Sequence, residues 1–288
     1  LPINIDINRI RVVIIDKIVH ETPTVKTIVF KDRLSSEAKP GQFLMVWIPR
    51  GEELPMSVMV PDRKDKNNKD SAALTIRKHG YGSTLLFDKR PGDILGVRGP
   101  YGNEFKIGQN KKVLLVGGGT GLVPLMRLAR KLNSNKIDTT IIIGARTKEE
   151  VFFERMANDL LRDTRHQVIV TTEDGSYGEK GYATDAMARL VDGGKQERSR
   201  KNAKFDCVYT CGPELMMKKV YDLAASASLP VQASLERYMK CGIGICSSCC
   251  IGDQLVCRDG TIYNERQLST MAEFGRMYRD KSGRRVPY

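Results

Sequence analysis

The sequence predicts a multidomain β plus α/β chain: an antiparallel β-barrel, a parallel-sheet α/β domain, and a small C-terminal domain organised by cysteines. Three observations predict this. Residues 9–105 alternate short β-rich runs with turn signals; from Lys111 strands and helices alternate; and five of the seven cysteines crowd into residues 241–257. The boundaries read from these changes of rhythm are 1–108, 109–232 and 233–288. A chain of 288 residues is long enough for two or more domains with their own cores.

In the first part, Arg11–His20, Lys26–Lys31, Gln42–Ile48, Ala73–Lys78 and Asp93–Arg98 read as strands. Pro40-Gly41, the polar run Arg63–Asp70 and Pro91-Gly92 supply turns, and a short helix is expected near Thr84–Phe87. Two segments stand out, Leu54-Pro55-Met56-Ser57-Val58 and Gly80-Tyr81-Gly82-Ser83-Thr84. Taken alone, both read as turns. The second also offers glycine freedom and hydroxyls ahead of a helix, which suits a pyrophosphate.

In the second part, Lys112–Val116 is a buried strand, followed by glycines and a helix to about Leu132. Then come strand Thr139–Ile143, helix Lys148–Leu161 with Val151, Phe152, Met156 and Leu160 mostly on one face, strand Gln167–Thr171, helix Ala183–Leu190, an exposed connector over 192–204, strand Cys207–Thr210 and helix Glu214–Ser226. Alternation of this kind implies a parallel sheet. Gly117, Gly118, Gly119, Thr120 and Gly121 form a strand–glycine turn–helix junction, the geometry that seats a dinucleotide phosphate at a helix N-terminus. It departs from strict G-x-G-x-x-G because Pro124 stands where the last glycine would be, so a ligand-free βα turn competes with it. Asp174, in Thr172-Glu173-Asp174-Gly175-Ser176, follows a later strand. An acid there accepts hydrogen bonds from an adenosine ribose and repels a 2′-phosphate, favouring NADH over NADPH; a solvated loop acid is the bland reading. Cys211 and Gly212 follow another strand. The small, soft side chain of Cys211 could lie against a nicotinamide, or be an ordinary buried cysteine.

In the third part, Cys241, Cys246, Cys249 and Cys257 have the spacing C-x4-C-x2-C and then one more Cys. That is the ligand rhythm of a plant-type [2Fe–2S] cluster. Gly242 and Gly244 let the backbone wrap and aim its N–H groups at the sulfurs. A four-cysteine zinc site usually shows two separated C-x2-C knuckles, whereas here there is one inside a longer loop. A [4Fe–4S] cluster also takes four cysteines and stays open. Cys250 makes the third ligand ambiguous; the spacing prefers Cys249. The three histidines lie far from the cysteines in sequence, against a Rieske centre.

Composition sets the class. Hydrophobic content of 41% and charged content of 28% are ordinary for a soluble protein. No apolar run approaches the length of a membrane span, and the first residues do not read as a signal peptide, so a cytoplasmic protein with no membrane partner is expected. An odd number of clustered cysteines argues for metal thiolates in a reducing compartment over a disulfide framework. The net charge of +13 reads as a solvated surface, with the basic runs in Lys195–Lys204 and the tail Arg276–Arg285. No aromatic platform for bases accompanies it, so nucleic acid is not an expected partner.

The order barrel, nucleotide domain, cysteine cluster resembles the ferredoxin reductase family, and within it the electron-transfer subunits of type B dihydroorotate dehydrogenases. The resemblance rests on Pro40-Gly41-Gln42-Phe43, Pro55-Met56-Ser57, Gly80-Tyr81-Gly82-Ser83, Gly99-Pro100-Tyr101-Gly102, Gly117–Pro124, Asp174-Gly175-Ser176, Cys211-Gly212-Pro213 and the run Glu236–Gly244. It implies FAD on the barrel at Pro55, Met56, Ser57, Gly80, Gly82 and Ser83, NAD in the α/β domain, and a [2Fe–2S] cluster near a partner, an FMN-containing catalytic dehydrogenase subunit of pyrimidine biosynthesis. Leu54 stands where the family usually has Arg, so one charge near the flavin phosphates is missing, with Arg77 or Arg50 as candidates to replace it. The interval before the fourth cysteine is short. A sulfide dehydrogenase, hydrogenase or ferredoxin:NAD(P) oxidoreductase subunit is the alternative with the same machinery; a zinc-stabilised binding module is the alternative of another class.

Overall fold

The computed structural model describes residues 5–59, 61, 70–192 and 205–288. Most of the polar turn expected at 63–70 and of the connector at 192–204 lies outside them. After the single-turn helix α1 (Ile5–Asn8), six strands close an antiparallel barrel in the order β1-β2-β5-β4-β3-β6. They are β1 (Arg11–Thr22), β2 (Val25–Lys31), β3 (Phe43–Trp47), β4 (Glu53–Met59), β5 (Ser71–Arg77) and β6 (Ile94–Tyr101), with short helices α2 (Arg33–Ser36) and α3 (Tyr81–Phe87) on the connections. Alternate side chains such as Ile15, Phe30, Leu44, Val46, Leu74 and Val97 fill the barrel core.

Strand β4 corrects the reading of Leu54–Val58 as a turn. Its pairing with β5 covers only Val58 and Met59, so Pro55 has a ladder neighbour on one side alone, opposite Met45 of β3. A proline is tolerated at such a locally open edge. Leu54 and Met56 pack against the barrel core. The two-residue period then puts Pro55 and Ser57 on the outer face, with Met45 and Phe43.

The α/β domain is a seven-stranded sheet, β10-β9-β8-β7-β11-β12-β15, parallel except at its last pair. Its strands are β7 (Lys112–Gly118), β8 (Asp138–Ala145), β9 (His166–Thr172), β10 (Glu179–Lys180), β11 (Cys207–Cys211), β12 (Val231–Ser234) and, from the C-terminal segment, β15 (Ile262–Asn264). Helices α4 (Leu122–Ser134), α5 (Glu154–Leu161), α6 (Ala183–Asp192) and α7 (Glu214–Ser226) connect the strands, and separate apolar cores form on the two faces of the sheet. The helix expected over 148–161 is shorter than that. A 3-10 turn at Lys148–Glu150 gives way to extended Val151, and Phe153 adopts a left-handed conformation at φ 69° before α5 begins. Packing decides this: Phe152 and Phe153 stack edge to face at 4.7 Å, both buried, and a regular helix would point them apart.

Beyond β12 follow the hairpin β13 (Cys250–Ile251) and β14 (Gln254–Leu255), helix α8 (Val256–Asp259), strand β15 (Ile262–Asn264), helix α9 (Glu265–Thr270) and a second hairpin, β16 (Met277–Arg279) with β17 (Arg285–Pro287). β15 joins the sheet antiparallel to β12, so the cysteine segment is framed by two adjacent strands.

Side-chain hydrogen bonds to backbone fix the parts relative to one another. Asn103, just past β6, donates from Nδ2 to the Ile262 carbonyl at 2.8 Å and accepts from the Ile262 N–H at 2.7 Å. The Thr261 hydroxyl donates to the Gly41 carbonyl at 2.6 Å. On α4, the buried Arg127 donates to the carbonyls of Ala38 and Ser36 at 2.6 Å and of Met59 at 3.2 Å. Burial, with repulsion from Arg130, lowers its pKa to about 10, which leaves it a cation at neutral pH.

Candidate redox site

The loop Cys241–Cys249 gathers its sulfurs by backbone curvature. Gly242 and Gly244 sit at φ 73° and 81°, a region in which glycine is unstrained. Main-chain N–H groups then point at sulfur. Those of Ile243, Ile245 and Cys246 donate to Cys241 Sγ at 3.5, 3.4 and 3.4 Å; Gly244 donates to Cys257 Sγ at 3.2 Å; Cys257 donates to Cys249 Sγ at 3.4 Å. N–H groups aimed at sulfur stabilise thiolate, the form that binds metal. Burial acts to raise the Cys246 pKa, but hydrogen bonds with Ser248 and Cys241 outweigh it and bring the thiol down to about 6. The contact with Cys257 brings Cys249 down to about 7 against burial, and the same contact with burial pushes Cys257 up.

The four cysteines thus fall into two pairs linked through backbone donors, the Cys246 N–H donating to Cys241 Sγ and the Cys257 N–H to Cys249 Sγ. Among the described residues no three His, Cys, Asp or Glu side chains converge on one point as a single ion would require. Two pairs suit two irons, each taking two thiolates, and the residues fit a [2Fe–2S] cluster. Cys250 follows Cys249 directly but begins the hairpin strand, where it pairs with Leu255, and it is half-buried where Cys249 is buried.

The loop is set against the barrel. A Cβ on Gly242 would lie 2.6 Å from Met45 Cγ. Met45 is the register partner of Pro55, so the cysteine loop and the Pro55–Ser57 segment occupy the same outer face of adjacent strands. The other side of the loop is open: Ile243 is 39% and Ile245 76% exposed, and Cys246 is exposed.

Two glycine junctions meet on neighbouring strands β7 and β11, where Cys211 is in register with Gly117. A Cβ on Gly121 would lie 2.4 Å from the Gly212 nitrogen, and one on Gly118 3.2 Å from Pro213 Cδ. The two loops therefore touch at their glycines, Gly121 against the Cys211–Gly212 backbone and Gly118 against Pro213. Gly119, at φ 55° with open space around it, and Thr120 form the rim, and α4 starts directly after Gly121. The cradle fits an anionic phosphate. Cys211 is itself buried, its pKa driven well up by burial and by Glu236. Asp174 is exposed; its Oδ1 accepts from the Ser176 N–H at 3.0 Å and hydroxyl at 2.6 Å, which lowers its pKa and keeps it charged.

On the barrel, Gly80, Gly82 and Ser83 lie where β5 passes into α3. Ser83 Oγ accepts from the N–H groups of His79 at 3.1 Å and Gly80 at 2.9 Å, which shapes the turn. Gly82 is packed on Glu52, and a Cβ there would lie 2.2 Å from Glu52 Oε1. Of the two candidates to replace the missing arginine, Arg50 is exposed on the β3–β4 turn, whereas Arg77 ends β5. Arg77 contacts Glu150 at 3.3 Å and has a buried Nε with no hydrogen-bond partner among the described residues. An orphaned cationic donor beside the Gly80 turn fits a phosphate-bearing group such as FAD.

Sequence reasoning placed Glu236 and Arg237 in the run that carries the resemblance and gave neither of them, nor Glu214, a role. Glu236 is exposed, yet the protein around it, and then repulsion from Glu214, raises its pKa. Next to it, Arg237 and Glu214 form a buried two-pronged ion pair with side chains 3% and 4% exposed. Glu214 starts α7 immediately after the Cys211–Pro213 loop, and Arg237 opens the run into Cys241, so this pair couples the two.

Comparison with known proteins matches these regions. Residues 115–222 match the oxidoreductase NAD-binding domain, and residues 236–269 match the iron–sulfur cluster binding domain of dihydroorotate dehydrogenase B. The latter favours iron over the zinc alternative. A solved structure of an NADH-dependent reduced ferredoxin-NADP oxidoreductase, described for flavin-based electron bifurcation, superposes with a TM-score of 0.75 at 27% identity, covering 91% of this chain and 92% of that one. The ferredoxin reductase of a carbazole 1,9a-dioxygenase, at 19% identity and a TM-score of 0.65 over 78% and 68% of the chains, shares the fold. A protein of Methanocaldococcus jannaschii named as a probable dihydroorotate dehydrogenase B (NAD+) electron transfer subunit is 40% identical over 95% of this chain and 97% of its own length. One from Pyrococcus furiosus with the same name is 39% identical over 87% and 89%. Among the described residues no helix is long and apolar enough to cross a membrane. The chain belongs to the family of dihydroorotate dehydrogenase B electron-transfer subunits, oxidoreductases with a ferredoxin reductase-like fold that carry FAD and a [2Fe–2S] cluster and bind NAD.

Proposed function

We propose that this chain takes electrons from an FMN-containing dihydroorotate dehydrogenase subunit at a [2Fe–2S] cluster held by Cys241, Cys246, Cys249 and Cys257. It passes them through FAD, held at Pro55, Met56, Ser57, Gly80, Gly82 and Ser83, to NAD+ in the α/β domain, in the cytoplasm. The observation that carries this is the position of the cysteine loop: one side rests on Met45, whose register partner is Pro55, and the other faces solvent. The flavin supplies the exchange between one-electron and two-electron transfer. The chain's residues supply the positions. Asn103 and Thr261 lock the cysteine segment to the barrel, and Arg127 locks the nucleotide domain to it. Gly117, Gly118, Gly119, Thr120 and Gly121, with Gly212, make the nucleotide cradle, and Cys211 backs it from beneath.

The exposed Ile243 and Ile245 beside Cys246 form an apolar tip that fits a protein partner, which also shields the cluster from water. Ile245→Asp is the test. The wild-type complex, given dihydroorotate and NAD+, forms NADH; the variant loses this by about tenfold or more, since a charge in an interface core costs over 1.4 kcal/mol. NADH oxidation by the isolated chain with a dye acceptor stays unchanged. A wild-type complex that reduces NAD+ only from reduced ferredoxin refutes the dihydroorotate reading.

Asp174 and Glu173 set the nucleotide preference by charge. Asp174→Arg narrows the preference for NADH over NADPH by about fivefold, the scale of one exposed charge pair. Steady-state kinetics with both nucleotides check this, and an unchanged ratio places the selectivity elsewhere.

A further inference from the structure

We propose that the Tyr263 hydroxyl donates a hydrogen bond into the sulfur shell at Cys249 and Cys257 and so raises the reduction potential of the bound [2Fe–2S] cluster. The inference rests on the reading that these cysteines are ligands, and its experiment separates the two.

The position of Tyr263 follows from strand alternation. In β15, Ile262 packs into the nucleotide-domain core, so Tyr263 turns to the opposite side, into the core that holds Cys249 and Cys257. There it is fully buried, with 0% of its surface exposed. Its ring lies on Gly260, three residues past Cys257: a Cβ on Gly260 would meet the ring carbons Cε2 and Cζ at 2.6 and 2.7 Å and the hydroxyl at 2.7 Å. Glycine at 260 is therefore what admits the phenol to this place. Burial, followed by negative charge at Asp259, Cys249 and Cys257, raises its pKa, so the oxygen carries its proton.

The hydroxyl has no hydrogen-bond partner among the described residues. A buried O–H without an acceptor is a cost that phenylalanine, of nearly the same shape, would not carry. Packing thus accounts for the ring and not for the oxygen. The acceptors proposed for it are the sulfurs of Cys249 and Cys257, which share its core and would bear more negative charge in the reduced state of a bound cluster. A donor aimed at them stabilises that state preferentially, and hydrogen bonds to sulfur are one of the factors that set such potentials. The backbone N–H groups already on Cys241, Cys249 and Cys257 leave lone pairs on each sulfur for a side-chain donor.

The test is a redox titration of the cluster-loaded protein followed by electron paramagnetic resonance. Tyr263→Phe shifts the reduction equilibrium about tenfold toward the oxidised form, a fall of about 59 mV for one electron. Replacing Tyr263 by 3,5-difluorotyrosine, a stronger donor of similar shape, shifts it the opposite way. Opposite signs are what a packing role would not produce. An unchanged potential in both variants, or a shift of the same sign in both, overturns the proposal. If Tyr263→Phe fails to retain metal, the fluorinated protein decides alone. Cys249→Ser tests the underlying ligand reading: if it keeps a normal cluster, that reading fails, whereas if it loses the cluster while both tyrosine variants titrate like wild type, only the tyrosine proposal fails.

Discussion

Cys249→Ser removes the visible absorbance of the iron–sulfur cluster and cuts dihydroorotate-to-NAD+ electron transfer by at least about 100-fold, whereas Cys250→Ser leaves both within about twofold of wild type. Loss of an outer-shell partner alone costs about 10- to 100-fold in metal affinity or activity, so loss of a ligand sits at or beyond the top of that range. The two cysteines are adjacent and chemically identical. What separates them is environment: Cys249 is buried, accepts from the Cys257 N–H at 3.4 Å and is drawn toward thiolate, while Cys250 is half-buried in the β13–β14 ladder. FAD is retained in both variants, because the flavin segment lies on the barrel. Iron analysis, the visible spectrum and the coupled assay on the reconstituted complex check all three statements. Loss of the cluster in Cys250→Ser with retention in Cys249→Ser would reverse the assignment.

Glu214→Ala lowers stability by about 3–5 kcal/mol, because it strands the Arg237 cation in a site where both side chains are under 5% exposed. A melting temperature lower by about 10 °C is the expected scale for a chain of this size. Glu214 Oε1 also accepts from the Gly275 N–H at 3.0 Å, so the variant loosens the C-terminal segment as well as the run into the cysteines. Replacing both partners by methionine removes the charge without stranding either group and recovers most of the loss. Thermal unfolding of the three proteins measures this. A double variant as unstable as Glu214→Ala would show that the pair is required for its geometry and not only for its neutrality.

Much of this architecture is visible in local pattern. The parallel sheet was legible because alternating buried strands and amphipathic helices leave a periodic trace, and the glycine loop and cysteine spacing because each concentrates its chemistry in a short run. What the pattern hid has a physical reason in each case. β4 contains proline and serine and is only half-buried, so it carries no strand signature; its existence depends on β3 and an open ladder side. Phe153 leaves the helix because two aromatic rings compete for one core. β15 is three residues long and owes its place to pairing with β12. The Arg127, Asn103 and Arg237 contacts join residues 23 to 159 positions apart, and nothing in a single sequence marks such partners. At the candidate site the residue types were therefore legible, and the contact between the cysteine loop and Met45 was not.

The origin of the last sheet strand carries a consequence for how the protein is made. β12 is covered at its outer edge by residues that lie beyond all the cysteines, through Gln232–Asn264, Ala233–Tyr263 and Ser234–Ile262. Small cysteine-rich segments of this kind draw their folding free energy from metal. A chain that has not yet received iron would therefore leave the Val231–Ser234 edge bare, the kind of edge that recruits strands from other molecules. Iron delivery then does more than equip the chain for electron transfer: it closes the sheet, and cells short of iron would meet this protein first as a solubility and turnover problem.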